Sequence, residues 1–209
     1  MTLYFIRHGE TDWNVKKKIQ GKTDIPLNEN GLKQARELAQ MLAAKKKREG
    51  LHVVRAYTSP QLRAAKTAKE AADALEIPCI ALDGLREMDL GEWEGKNWDY
   101  IERHYGETYY YWNSHRRYTK TPHGECYDDV LMRTLKSLQY ILEREDNNVL
   151  VVTHSAVMMA LRCYLADCPM EEMVARFKAK NAEMVAISAE DIESAIRRYA
   201  MEKGETNSH

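Results

Sequence analysis

The chain has 209 residues, a formal net charge of −1, 44% hydrophobic and 30% charged residues, which suits one folded domain rather than a disordered or fibrous chain. So balanced a charge gives no general attraction to nucleic acid or to an anionic membrane. No stretch approaches the roughly 20 apolar residues of a spanning helix, and no signal-peptide pattern opens the chain, so a cytoplasmic protein is expected.

Leu3 to Ile6 is an unbroken apolar run, which predicts a central strand buried on both faces. Arg7-His8-Gly9-Glu10-Thr11 follows directly, where a rigid strand end passes into an exposed turn and side chains are held accurately yet reach a substrate. Histidine can act as a nucleophile at neutral pH, and arginine is shaped to grip a phosphate. The nearby Lys16-Lys17-Lys18 run fits either anion steering or plain solvation. Pro26 and Asn28-Glu29-Asn30-Gly31 open a helix with Leu32, Ala35, Leu38, Ala39 and Leu42 on one face. Its basic end, Lys45-Lys46-Lys47-Arg48, reads as a solvated terminus.

A second strand falls within His52 to Tyr57, and Ser59-Pro60 then reads as the cap and first turn of another helix. That helix carries Leu62, Ala65, Ala68, Ala72 and Leu75 and stops before Pro78, and Cys79 to Leu82 is a third short strand. Residues 91–124 change character, crowding tryptophans and tyrosines among charges in a stretch neither plainly α nor β. Such a segment inside a compact domain is expected to be an insertion or lid, its aromatics serving as packing rather than as a base-stacking surface. Regularity returns with a helix over Asp128 to Glu143, a buried strand at Val149 to Val152, a helix over Ala156 to Leu165, a strand over Glu183 to Ser188 and a charged helix over Asp191 to Glu202. The tail to His209 reads as frayed. Strands alternating with helices predict a three-layer α/β/α fold, its central sheet mainly parallel, in a single domain spanning 1–209. The four cysteines form no Cys-x-x-Cys pair and read as free thiols, mostly buried. His104, His115 and His123 read as solvent-facing, with His123 the one near the expected pocket.

Four polar clusters stand at the expected carboxyl ends of the strands: Arg7-His8, Ser59 to Arg63, Leu85 to Gly91 and Thr153-His154-Ser155. Ligands of open parallel sheets bind beyond those ends, so the clusters should converge. Two histidines, two arginines and a glutamate around an anion suit phosphoryl transfer through a covalent intermediate. One histidine attacks, a carboxylic acid protonates the leaving oxygen and the basic groups spread the charge. No Asp-rich or His-rich set suggests a metal, and no cofactor is expected.

With Arg7 to Thr11, Asn14, Gln20-Gly21, Asp24, Pro26-Leu27, Gly31, Gln34-Ala35, Ser59-Pro60, Arg63-Ala64, Thr67-Ala68, Glu87, Gly91, Trp93-Glu94-Gly95 and Val151 to His154, the chain resembles the histidine phosphatase superfamily, in its phosphoglycerate mutase-like branch. The resemblance implies that His8 is phosphorylated, that Arg7, Arg63 and His154 hold the phosphate, and that Glu87 donates the proton. It also implies contacts at the pocket rim from Asn14, Gln20, Gly21 and Thr23. Ser155 departs from the glycine often found there, as does His123-Gly124-Glu125-Cys126 from Gly-Gly-Glu-Ser. Met-Asp-Leu-Gly-Glu-Trp-Glu-Gly after Glu87 is similar to the short phosphatases, α-ribazole phosphatases among them, rather than to the longer mutases. The expected activity is hydrolysis of a small phosphomonoester. A phosphoglycerate mutase is the enzymatic alternative, and a phosphate-sensing protein the non-catalytic one.

Overall fold

Successive side chains of a strand point to opposite faces of its sheet, so a run apolar at every position is covered on both. In the computed structural model, which describes residues 1–204, β1 (Thr2–Arg7) behaves this way. Leu3 and Phe5 join one hydrophobic cluster, while Ile6 joins another. β4 (Val149–Thr153) is buried at every residue and divides likewise, Val149 and Val151 to one side, Leu150 and Val152 to the other. Truncating Leu150 to Ala should therefore cost about 2–5 kcal/mol.

β2 (Arg55–Thr58), β3 (Cys79–Ala81) and β5 (Met184–Ser188) complete a five-stranded sheet in the order β3-β2-β4-β1-β5. Every pairing is parallel except that of β5 with β1. Two helices, α2 (Glu29–Glu49) and α3 (Leu62–Leu75), pack on the Ile6 face. α5 (Tyr127–Leu142), α6 (Ser155–Leu165) and α8 (Ala189–Glu202) pack on the Leu3 face. The three-layer α/β/α arrangement follows. α1 (Asp12–Val15), α4 (Trp98–Ser114) and α7 (Met173–Phe177) lie in the connections, and among the described residues no helix is long and apolar enough to cross a membrane.

Several expectations need correction. α3 begins at Leu62 rather than at Ser59-Pro60, and Asp24 Oδ1 accepts the Leu62 N–H at 2.8 Å, so a distant loop caps this helix. Leu62 is exposed, and the buried face is instead Arg63, Ala64, Thr67, Ala68, Ala71, Ala72 and Leu75. The segment 91–124 contains a 17-residue helix, α4, kinked at Gly106 (φ 27°). A glycine at positive φ breaks the helical period, which hides the helix from a pattern reading. Cys163 and Cys168 are joined as a disulfide, leaving Cys126 buried and Cys79 exposed as thiols. The expected frayed tail falls largely on residues 205–209, outside the described residues.

Candidate active site

Because β2, β4 and β1 are neighbours in the sheet, their carboxyl ends bring Ser59 to Arg63, His154 and Arg7-His8 side by side. Together they open on a cavity of about 360 Å³. Arg7, His8, Asn14, Gln20, Gly21, Arg63 and Glu87 all line it. His154 is fully buried behind it, its ring centroid 5.1 Å from that of His8. Thr23 does not face the cavity. Its carbonyl accepts from Arg63 Nη1 at 2.9 Å and its hydroxyl donates to Glu94, so it holds a site arginine rather than forming the rim. His123 is exposed and lies 3.2 Å from Glu92, away from the lining.

The loop after β1 is pinned from several sides. The Gly9 N–H donates to Thr67 Oγ1 at 3.0 Å, and Asn181 Nδ2 donates to the His8 carbonyl at 2.9 Å. α1 is held by a capping box between Thr11 and Asn14, in which Asn14 Oδ1 accepts from the Thr11 N–H. At Gly31 the backbone passes so close that an added Cβ would lie 2.0 Å from the Glu10 carbonyl oxygen. Only glycine fits there.

His8 Nδ1 is 2.7 Å from its neighbour's carbonyl, Gly9 O. A carbonyl only accepts, so Nδ1 carries the proton and Nε2 keeps a free lone pair. Burial, then the charges of Arg63 and Arg7, hold the His8 pKa well below its ordinary value. His154 is lowered well below it too, by burial first and then Arg63 and His8. Both rings are therefore neutral near pH 7. His154 Nε2 lies 2.8 Å from Ser59 Oγ, while its Nδ1 is buried without a partner.

The guanidinium groups are half-committed to carbonyls. Arg7 Nη1 donates to Ala179 O at 2.7 Å, and Arg63 donates to Thr23 O and Gly21 O at 2.9 Å each. The Nε donors of both, with His154 Nδ1 and Gln20 Oε1, are buried and unpartnered. Buried polar groups are normally satisfied, and orphans concentrated around one cavity suit a ligand that fills them. Burial works against both arginine charges, with Glu87 opposing it, but arginine stays protonated at any ordinary pH.

Glu87 accepts from the N–H groups of Met88 at 3.0 Å and Ala156 at 3.2 Å, the latter in the first turn of α6. The residue keeps partial exposure through the cavity. Its carboxyl is nonetheless enclosed enough that burial raises its pKa, outweighing Arg63, the two N–H groups and Arg7. Its loop is braced by Arg133, which donates to the carbonyls of Gly84, Arg86 and Glu87 and to both Glu125 oxygens. Gln61 adds a second brace, accepting the Glu87 N–H at 2.7 Å and donating to Gly21 O at 3.0 Å. Neither was visible as a site residue in the sequence, because a helical arginine and a turn glutamine look like surface polarity until the fold aims them inward.

Residues 3–202 match the histidine phosphatase superfamily (branch 1). The chain belongs to this superfamily. The Bacillus subtilis uncharacterized phosphatase PhoE is 30% identical to this histidine phosphatase over 98% of the chain and 94% of its own length. Phosphoserine phosphatase 1 of Hydrogenobacter thermophilus is 33% identical, covering 93% and 89%. A solved structure from Escherichia coli, described as a candidate α-ribazole-5′-phosphate phosphatase, superposes with a TM-score of 0.77 at 27% identity, covering 90% of this chain and 89% of that one. The histidine phosphatase is thus an enzyme of the phosphatase type, as the resemblance implied, with a small phosphorylated substrate.

Proposed function

We propose that the enzyme hydrolyses a phosphomonoester metabolite in two in-line steps, without a metal or other cofactor. In the first, the His8 Nε2 lone pair forms an N–P bond while the P–O bond to the leaving group breaks, and Glu87 gives its proton to the departing oxygen. In the second, water attacks phosphorus, Glu87 takes the proton, and His8 departs as neutral imidazole with inorganic phosphate as product. Arg7, Arg63 and His154 hold the non-bridging oxygens, and Asn14, Gln20 and Gly21 form the rim. The observation that carries this reading is the tautomer of His8, whose Gly9 hydrogen bond leaves Nε2 as a base in a pocket of unfilled donors. Placing a raised-pKa carboxyl in the same cavity supplies the acid.

The test is product analysis with p-nitrophenyl phosphate and 3-phosphoglycerate, the latter with catalytic bisphosphoglycerate. Inorganic phosphate should appear with wild type and not with His8→Ala, and should persist in excess chelator. Formation of 2-phosphoglycerate as the main product would make it a mutase, and a chelator-sensitive activity restored by Mg²⁺ or Zn²⁺ would overturn the metal-free mechanism.

A further inference from the structure

Beyond the phosphate end, the cavity wall is aromatic and its fixed charges are positive. Trp98 and Trp112 stack with centroids 5.7 Å apart and planes 15° apart, and both line the cavity with Tyr127. The Arg116 guanidinium carbon lies 5.0 Å from the Trp112 ring centroid and also lines the cavity, as do Lys18 and Lys178. Neighbouring cations nearby are neutralised in pairs: Lys22 with Asp89, Arg117 with Asp128 and Lys120 with Asp129. Among the described residues, Lys18, Arg116 and Lys178 have no such carboxylate. Among the described residues the only carboxylate lining the cavity is Glu87, whose Oε1 accepts from the Met88 and Ala156 N–H groups.

Three unpaired cations in one cavity raise the local concentration of anions. An ammonium-bearing leaving group, such as that of phosphoserine, would meet these three cations against one carboxyl, Glu87, which the mechanism uses in its protonated form. The volume of about 360 Å³ falls within the roughly 300–1,000 Å³ of sites that enclose drug-sized ligands, so there is room for a ring beyond the phosphate.

We propose that the leaving group of the physiological substrate is an aromatic body carrying a second anion, the ring lying against the Trp98–Trp112 wall and the anion bound by Arg116. Lys18 and Lys178 add to the attraction. Arg116 is then a specificity-determining residue. The proposal rests on the phosphatase reading above.

The experiment measures competitive inhibition of p-nitrophenyl phosphate hydrolysis by four non-hydrolysable phosphonates, which removes leaving-group reactivity from the comparison. They are benzylphosphonate, 4-carboxybenzylphosphonate, 4-(aminomethyl)benzylphosphonate and the straight-chain 5-carboxypentylphosphonate. One charge-assisted contact should make the carboxybenzyl compound bind about 10- to 100-fold more tightly than the aminomethyl one. It should bind about fivefold more tightly than the straight-chain compound. Arg116→Gln should shrink the carboxylate-to-ammonium ratio to within about threefold, and Arg116→Lys should restore part of it. Lys178→Gln, at the C-terminal end of α7, should reduce the ratio by a smaller factor and stands in should the Arg116 variant fail to fold. Equal inhibition by carboxylate and ammonium compounds, a ratio undiminished in both variants, or equal binding of the straight-chain compound would overturn the proposal while leaving the phosphatase intact. Absence of p-nitrophenyl phosphate hydrolysis by wild type would instead overturn the phosphatase reading and the proposal with it.

Discussion

Replacing Ser59 by Ala removes a single oxygen, and the structure makes that oxygen decisive for how His154 meets an anion. Ser59 and His154 are both fully buried, with Oγ and Nε2 2.8 Å apart. The neutral ring has one N–H. If Ser59 Oγ–H donates to Nε2, the proton sits on Nδ1, the nitrogen without a protein partner, and His154 presents a donor to a phosphoryl oxygen. The opposite tautomer would present a lone pair to an anion. Removing the hydroxyl loses about 1 kcal/mol of net hydrogen bonding and leaves a buried acceptor unsatisfied, for a total of about 1–3 kcal/mol. In a chain of this length that lowers Tm by about 2–12 °C. Deleting a preorganised donor outright costs about 10²–10³ in rate. Ser59→Ala releases the tautomer and removes the acceptor of the Gln61 N–H at 3.3 Å, so kcat/KM for p-nitrophenyl phosphate should fall by about 10- to 100-fold. Long-range ¹H–¹⁵N spectra of the imidazoles should show the Nδ1–H form of His154 in wild type and a mixture in the variant. A well-folded variant within twofold of wild-type kcat/KM, or an Nε2–H form in wild type, would refute this role for Ser59.

Glu87→Gln should slow single-turnover phosphorylation by an alkyl phosphate by about 10²- to 10⁴-fold, and by p-nitrophenyl phosphate far less, since that leaving group is already a stable anion. Equal losses would assign the acid elsewhere, although Asp89 and Glu125 are engaged by Lys22 and Arg133. The pH profile of kcat/KM should be a bell. Neutral His8 is required and its pKa is lowered from 6.5, so the acid limb lies well below that pH. Protonated Glu87 is required and its pKa is raised from 4.5, so activity declines as pH rises through the raised value, and this limb should vanish in Glu87→Gln with p-nitrophenyl phosphate. Gly31→Ala forces a Cβ to within 2.0 Å of the Glu10 carbonyl oxygen, displacing the loop that holds His8. Denaturant unfolding should register about 1–3 kcal/mol of destabilisation, and unchanged stability would mean that α2 moves freely against that loop.

What could be read from the residues in order follows from how local each signal is. Strands such as Leu3–Ile6 and Val149–Val152 announce themselves because burial on both faces demands unbroken apolar runs, and the parallel sheet then brings Arg7, His8, Arg63 and His154 together beyond the carboxyl ends of its central strands. Ser59 misleads, because serine before proline is a common helix cap whereas here its hydroxyl is taken by a histidine 95 residues away. α4 is hidden by the Gly106 kink and by aromatics on both sides of the helix, some packing on Trp93 and others, such as Tyr110 and Tyr111, left exposed. The pairing of Cys163 with Cys168 needs the chain to double back at the end of α6, which no spacing rule supplies. The resemblance puts Thr23 on the rim, yet its carbonyl serves Arg63. A motif marks a position without saying which way its atoms point.

The central claim is that His8 carries the phosphoryl group, and rapid-quench trapping tests it most directly. Wild type mixed with ³²P-labelled substrate and quenched in base should hold up to about one acid-labile, base-stable phosphate per chain, as phosphoramidate chemistry requires of a covalent histidine intermediate. Peptide mapping should place the label on His8, and His8→Ala should hold none. Acid-stable label, label on His154, or steady turnover in His8→Ala would contradict the account.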